Sequence, residues 1–301
     1  MGSLSEERSA IRAWILWVCV ALLMLGLLFL CGIQCGGVVP VESEGEGLEA
    51  DAGAEGGAEG GAEAVTDARP KPEPEIVAVV PNHDARVPIL MYHEVADKTW
   101  GLEGLFVKIS DFEAQMKYLS DNGYKTLFVS EITRQTNFDK KVVLTFDDAY
   151  VGFYDNVLPV LKKYNIKVSL YVISSAFGGN FITEDQLKEI HDSGLVQIGS
   201  HSQSHPDLTT LSSAKLEEEI KGSKDALEAM LGTKITTFAY PTGAHNDMVV
   251  DMVKLHYKDA LITGNSLANI NVETDLYTLP RFGMYRTTTL KTFADWCSLG
   301  R

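Results

Sequence analysis

Two adjacent carboxylates, Asp147 and Asp148, and two histidines separated by three residues, His201 and His205, are the residues of this 301-residue chain best suited to chemistry. The aspartates end the run Val142-Val-Leu-Thr-Phe146, whose residues are β-branched, apolar or both, and which reads as a buried strand. In extended chain, neighbouring side chains point to opposite sides, so one aspartate can hold a metal while the other faces a reacting group. The histidines follow a second short strand pattern, Val196–Gly199. A His-x3-His pair would share one face of a helix, but Pro206 disfavours helix at His205, which places the pair on a loop or first turn. Two imidazoles and one carboxylate leave a position for water, the pattern of a catalytic divalent metal. Separate surface carboxylates and two capping histidines would have the same composition, so the neighbouring sequence must decide.

That neighbouring sequence resembles the NodB-homology polysaccharide deacetylases, carbohydrate esterase family 4. Thr145-Phe-Asp-Asp148 is similar to the family's first motif and His201-Ser-Gln-Ser-His-Pro206 to its second. Lys167–Ile173 and Leu187–Gly194 are similar to family members as well. The early Val87-Pro-Ile-Leu-Met-Tyr-His93 resembles one branch, the deacetylases of partially acetylated poly-β-1,6-N-acetylglucosamine. In that branch the motif order is circularly permuted, and the histidine that usually comes last comes first. The resemblance implies Asp147 as general base, Asp148, His201 and His205 as ligands of one divalent metal, and His93 as general acid. Zinc suits these donors, and nickel, cobalt or iron accept the same set. The implied partner is an N-acetylglucosamine polysaccharide.

Two departures from the family pattern stand out. The third motif is usually Arg-x-Pro-aromatic, but here it is Ala239-Tyr-Pro-Thr-Gly243, without the arginine that commonly orients the base. No late Leu-x-His motif occurs either. His93 is the candidate for the second gap and Arg281 for the first. A backbone N–H near Thr242, beside Tyr240 and Pro241, is the candidate oxyanion donor. Tyr240, Trp100 and Phe177 are candidates for stacking on sugar rings. The same residues would serve a peptidoglycan deacetylase or an O-acetyl xylan esterase, and a dead site would leave an inactive carbohydrate-binding protein.

The elements that must position these groups alternate. Strand patterns at Val87–Tyr92, Tyr124–Val129, Lys167–Ile173, Thr236–Tyr240, Asp259–Thr263 and Thr278–Tyr285 join the two already described. Helical patterns lie between them. One spans Ser110–Asn122, with Ser110 as its cap. Another spans Phe153–Tyr164, with Pro159 as a kink or late start. A third opens on a Thr183/Gln186 capping box. The longest, Ser212–Leu231, carries an apolar stripe through Leu216, Ile220, Leu227 and Leu231, with Glu217-Glu-Glu219 as a solvated face. This order predicts an α/β fold: a distorted, incomplete (β/α) barrel of about seven strands, functional residues at the strands' C-terminal ends.

The first quarter of the chain reads differently. Residues 1–12 are polar and cytoplasmic, and 13–34 form an apolar transmembrane signal anchor, uncleaved. Arg8 and Arg12 precede it and no basic residue follows until Arg69, which puts the remainder outside the cell membrane. Residues 35–75 read as a disordered linker, with nine acidic and no basic residues between Glu42 and Asp67. Residues 76–301 are the deacetylase domain. Most of the net charge of −15 sits in the linker, and the lack of a basic stripe argues against nucleic acid. Four cysteines, three of them in or beside the apolar run, make no disulfide framework.

Overall fold

The computed structural model describes residues 85–134, 136–270 and 274–300. The expected anchor and linker lie outside them. Among the described residues no helix is long and apolar enough to cross a membrane. The strands are β1 (Ala85–Val87), β2 (Ile89–Tyr92), β3 (Glu94–Val95), β4 (Phe106–Val107), β5 (Lys125–Leu127), β6 (Lys141–Phe146), β7 (Val168–Val172), β8 (Val196–Ser200), β9 (Thr237–Ala239), β10 (Asp259–Leu261), β11 (Ala268–Ile270) and β12 (Phe282–Gly283). The helices are α1 (Ile109–Asp121), α2 (Leu158–Tyr164), α3 (Glu184–Asp192), α4 (Ser213–Leu231), α5 (Asp247–His256) and α6 (Leu290–Cys297).

The main sheet is parallel and runs β10-β9-β8-β7-β6-β2-β12, with β5 also paired to β6. Two parallel bridges, Leu261 to Leu279 and Gly264 to Phe282, join its β10 edge to the segment that enters β12. The sheet therefore curls back toward its other edge, consistent with a distorted (β/α) barrel. The expected single strand over Val87–Tyr92 is split at Pro88, which has no N–H to continue a ladder. β1 pairs antiparallel with β11, and β2 joins the barrel.

Alternation sorts side chains between two cores. On β6, Val142, Leu144 and Phe146 pack outward in the larger cluster that holds Phe112, Met116, Leu119, Leu158 and Leu161 of the helices. Val143 packs inward with Ile89, Tyr171, Ala239 and Leu261. The same parity sends Thr145 and then Asp147 toward the lumen. Each large apolar side chain buried this way contributes about 1.5–3 kcal/mol.

The helix ends follow local chemistry. At α3 the capping box is present: the Gln186 N–H donates to Thr183 Oγ1 at 3.2 Å and the Thr183 N–H to Gln186 Oε1 at 2.8 Å. Pro159 is the second residue of α2 and directly follows a π-helical turn at Phe153–Val157, where the helix departs from regular i→i−4 bonding. Ser110 is not the cap of α1; the helix starts at Ile109 after Lys108, with no side-chain cap bond. The last strand is shorter than expected, only Phe282–Gly283 with the bridge at Leu279 before it.

Gly199 of β8 shows how tightly the lumen is filled. A Cβ there would lie 2.5 Å from Tyr171 Cε1 and 2.9 Å from Thr237 Cγ2. The Tyr171 ring cannot easily withdraw, because it is fully buried and its hydroxyl shares a 2.7 Å hydrogen bond with Thr237 Oγ1. Gly199→Ala should cost about 1–3 kcal/mol by overpacking. Urea unfolding measures this, and a stability equal to that of the wild type would contradict the packing described.

Candidate active site

Parallel register carries the candidate residues to one mouth of the barrel. Tyr92 of β2 lies opposite Phe146 of β6, so the next residues, His93 and Asp147, emerge side by side. The Asp147 N–H donates to the Tyr92 carbonyl at 3.0 Å. Two strands along, His201 leaves β8 with its N–H on the Val172 carbonyl at 2.9 Å. His93 feels the charges of Asp147, Asp148, Arg281 and His201, which makes them one electrostatic unit.

Asp148, His201 and His205 converge. One donor atom from each falls in a group within 4.8 Å of one another. His201 Nε2 is 3.5 Å and His205 Nε2 3.7 Å from Asp148 Oδ1. Strand alternation would turn Asp148 away from the lumen; its φ of 70° turns it back. Five of the seven described non-glycine residues with positive φ lie at this mouth: Asp148, Ala149, Ser202, His205 and Thr242. Backbone held in this region costs of order 1–3 kcal/mol per residue and persists only where its surroundings enforce it.

The donor set fits a cation. His201 Nδ1 lies 2.7 Å from the Ala239 carbonyl, which can only accept, so Nδ1 carries the proton and Nε2 presents a lone pair. Burial lowers the pKa of His201, while the nearby aspartates pull the other way. A neutral imidazole thus turns a lone pair toward a carboxylate oxygen, an arrangement that a divalent ion between them satisfies.

Asp147 has a different partner. Arg281 Nη1 and Nη2 donate to its two oxygens at 2.7 and 2.8 Å, a bidentate pair. Nη1 also reaches Thr145 Oγ1 at 3.2 Å, and Nε reaches the Ile262 carbonyl at 3.1 Å. Arg281 is fully buried and Asp147 is 2% exposed. Burial alone would raise the Asp147 pKa, but the guanidinium, helped by His201 and His93, holds the carboxyl well below its usual range. Arg281, the candidate for the arginine missing from Ala239–Gly243, therefore faces Asp147 and not an oxyanion position beside Thr242.

Other candidates separate. Tyr240 and Pro241 are buried, so the Tyr240 ring has no open face for a sugar; Thr242 is exposed at the turn after β9. Trp100 is half-buried, edge-on to Tyr150 at 4.8 Å, and Tyr150 stacks on Phe181 at 5.2 Å. The Tyr150 hydroxyl lies beside the Asp148 carboxylate. Phe177 is half-buried and packs against the outer core. Burial lowers the pKa of His93, opposed by the two aspartates, and its Nδ1 has no partner among the described residues.

Two glutamates that the motifs do not mark hold the loops of this mouth. Glu94, 1% exposed, accepts from the N–H groups of Val95, at 2.8 Å, and Gly152. It straps the turn after His93 to the start of the helical segment that follows Asp147-Asp148. Gly152 leaves room for it, since a Cβ there would collide with the Glu94 carboxylate. Glu219, expected on a solvated face, is half-buried and bonded to the loop between the two histidines.

A family model described as polysaccharide deacetylase matches residues 134–259. A Bacillus subtilis protein named as a polysaccharide deacetylase, YxkH, is 35% identical over 194 residues, 59% of this chain and 68% of that protein. The chain belongs to the polysaccharide deacetylase family. The poly-β-1,6-N-acetyl-D-glucosamine N-deacetylase of Staphylococcus epidermidis is 28% identical over 57% of this chain and 65% of its own length. These matches thus span about two thirds of each curated relative. The Streptococcus pyogenes deacetylase PplD, solved in complex with acetate, superposes with a TM-score of 0.65 at 28% identity, over 71% of this chain and 99% of that one. The polysaccharide deacetylase model covers Asp147, Asp148, His201, His205 and Tyr240 but neither His93 nor Arg281, which reach the site from the flanks.

Burial pushes the Glu94 carboxyl up to about 7, against the backbone N–H groups that favour its ionised form. A raised folded-state pKa gives stability that is complete below the unfolded value and lost as pH rises through the folded one. In the metal-free protein, wild type should therefore lose on the order of 2–3 kcal/mol relative to Glu94→Gln between pH 5 and 8. Urea unfolding across that range tests it, and a difference independent of pH would contradict the assignment.

Proposed function

We propose that this deacetylase is membrane-anchored and removes N-acetyl groups from an extracellular N-acetylglucosamine polysaccharide, with a divalent cation held by Asp148, His201 and His205. One observation carries the reading: a carboxylate kept ionised by Arg281 opens onto the same mouth as a cluster of two imidazoles and a carboxylate. Amides resist water, so the reaction needs an activated nucleophile, charge stabilisation on the carbonyl oxygen and a proton for the departing amine. Bound at the cluster, the cation supplies Lewis acidity for the carbonyl and for a water molecule. Zinc suits the donors, and nickel, cobalt or iron would also be accepted.

Asp147 takes a proton from the attacking water, as an ionised carboxylate can. Burial leaves His93 neutral at rest and makes it a stronger acid once protonated, which suits delivery to the amine. An N–H of the exposed turn at Thr242 donates to the oxyanion. The half-buried Trp100, beside Tyr150 and Phe181, offers an apolar surface next to Asp148 for a pyranose face. The staphylococcal relatives and the Met91-Tyr92-His93 segment favour a β-1,6-linked polymer over peptidoglycan or acetylated xylan. The rival reading, an inactive carbohydrate-binding protein, drew its main support from the arginine missing beside Tyr240; Arg281 pairs with Asp147 from the other end of the chain. Residues 13–34 would anchor the enzyme, and 35–75 would give its domain reach from the membrane.

The test is acetate release by the whole chain in detergent from β-1,6- and β-1,4-linked N-acetylglucosamine oligomers and peptidoglycan fragments. Release should favour the β-1,6 oligomers, cease on chelation and return with zinc. Asp147→Asn should lower turnover by roughly 10²–10⁴-fold while still taking up zinc. Asp148→Ala should lose both, and Trp100→Ala should raise KM without changing zinc uptake. Near-normal turnover in Asp147→Asn would show that another group is the base. No release from any oligomer with zinc bound would favour the inactive binding protein.

A further inference from the structure

We infer that Glu219 is the positioning residue that pre-forms the cation site, by clasping the loop between its two histidine ligands. This rests on the reading of Asp148, His201 and His205 as a cation site. The segment His201-Ser-Gln-Ser-His205 leaves β8 and must bring both imidazoles to one point. Ser202 and His205 hold φ of 64° and 61°, a region that non-glycine residues adopt only when fixed from outside. The fixing comes from two sides. On one, the Ser174 and Ser175 N–H groups donate to the carbonyls of Ser202 at 3.2 Å and Gln203 at 3.0 Å.

On the other side stands Glu219. Its Oε2 accepts from the N–H groups of Gln203 at 2.9 Å and Ser204 at 2.8 Å, and its Oε1 accepts from Ser204 Oγ at 2.6 Å. The next N–H, that of His205, goes to Ser202 Oγ at 2.9 Å. The three amides ahead of and at the second ligand thus end on side-chain oxygens, two of them on this one carboxylate. Glu219 has the angular position to do this because it borders the buried stripe of α4, between Leu216 and Ile220, while Glu217 and Glu218 are exposed. Helix and loop run close: a Cβ at Gly222, one turn on, would lie 3.0 Å from Gln203 Oε1. His201 has separate anchors in its strand and in the Ala239 carbonyl. Losing Glu219 should therefore loosen His205 and leave His201 in place.

The experiment measures zinc affinity, by competition with a chromophoric chelator, for wild type, Glu219→Ala, Glu219→Gln and Glu217→Ala. Amide hydrogen exchange at Gln203 and Ser204 is measured on the metal-free proteins. Glu219→Ala should weaken zinc binding about 10–100-fold, the range for losing a group that orients a ligand, with Glu219→Gln between it and wild type. Exchange protection at the two amides should fall with it. Glu217→Ala removes the same charge two residues away and should change neither quantity, which separates positioning from electrostatics. If Glu219→Ala fails to fold, Glu219→Gln carries the comparison. Zinc affinity in the Glu219 variants equal to that of Glu217→Ala would overturn the inference alone. A wild type that takes up no zinc would overturn the cation site on which it rests.

Discussion

The buried ion pair between Asp147 and Arg281 organises this molecule. The two residues stand 134 positions apart and meet in the lumen with both hydrogen bonds near 2.7–2.8 Å. Removing one partner of such a pair leaves a charge without water or counter-ion and costs about 3–5 kcal/mol. The pair thus fixes the late, weakly paired segment around β12 to the central strand β6. It also sets chemistry: an aspartate this buried would otherwise favour its neutral form, and the guanidinium keeps it ionised.

Around that pair, the mouth consists of loops whose backbone would not hold its shape unaided. Asp148, Ala149, Ser202, His205 and Thr242 all have positive φ. Each loop is tied to something rigid: His201 to the Ala239 carbonyl, the His93 turn through Glu94 to Gly152, the histidine loop to α4. These ties rest on tightly filled elements, as the contact of Gly199 with Tyr171 shows. Local strain at the mouth is offset by order beneath it, which is how a site can be formed before its ligand arrives.

Much of this was legible in the sequence because the signals are local. Alternation in Val142–Phe146, the capping box at Thr183, Pro159 in a first turn and the spacing of His201 and His205 each act within a few residues. What was hidden depends on distance along the chain. Arg281 was a candidate without a demonstrated partner, since nothing near it names Asp147. Glu219 looked like its neighbours in an acidic run, and only its angle on α4 sets it apart. Tyr240 looked available for sugar because aromatic residues near motifs often are; the packing of Phe238 and His245 around it is tertiary. The antiparallel pairing of β1 with β11 spans 185 residues between Ala85 and Ile270 and has no local trace.

The claim that Arg281 holds Asp147 ionised in a buried site is tested most directly by the carboxyl carbon of Asp147. Selective 13C labelling and an NMR titration of the metal-free protein from pH 7 to pH 4 would follow it. An ionised shift that stays flat over the whole range is the expected result. A midpoint inside that range, as for an ordinary or desolvated carboxyl, would contradict the account.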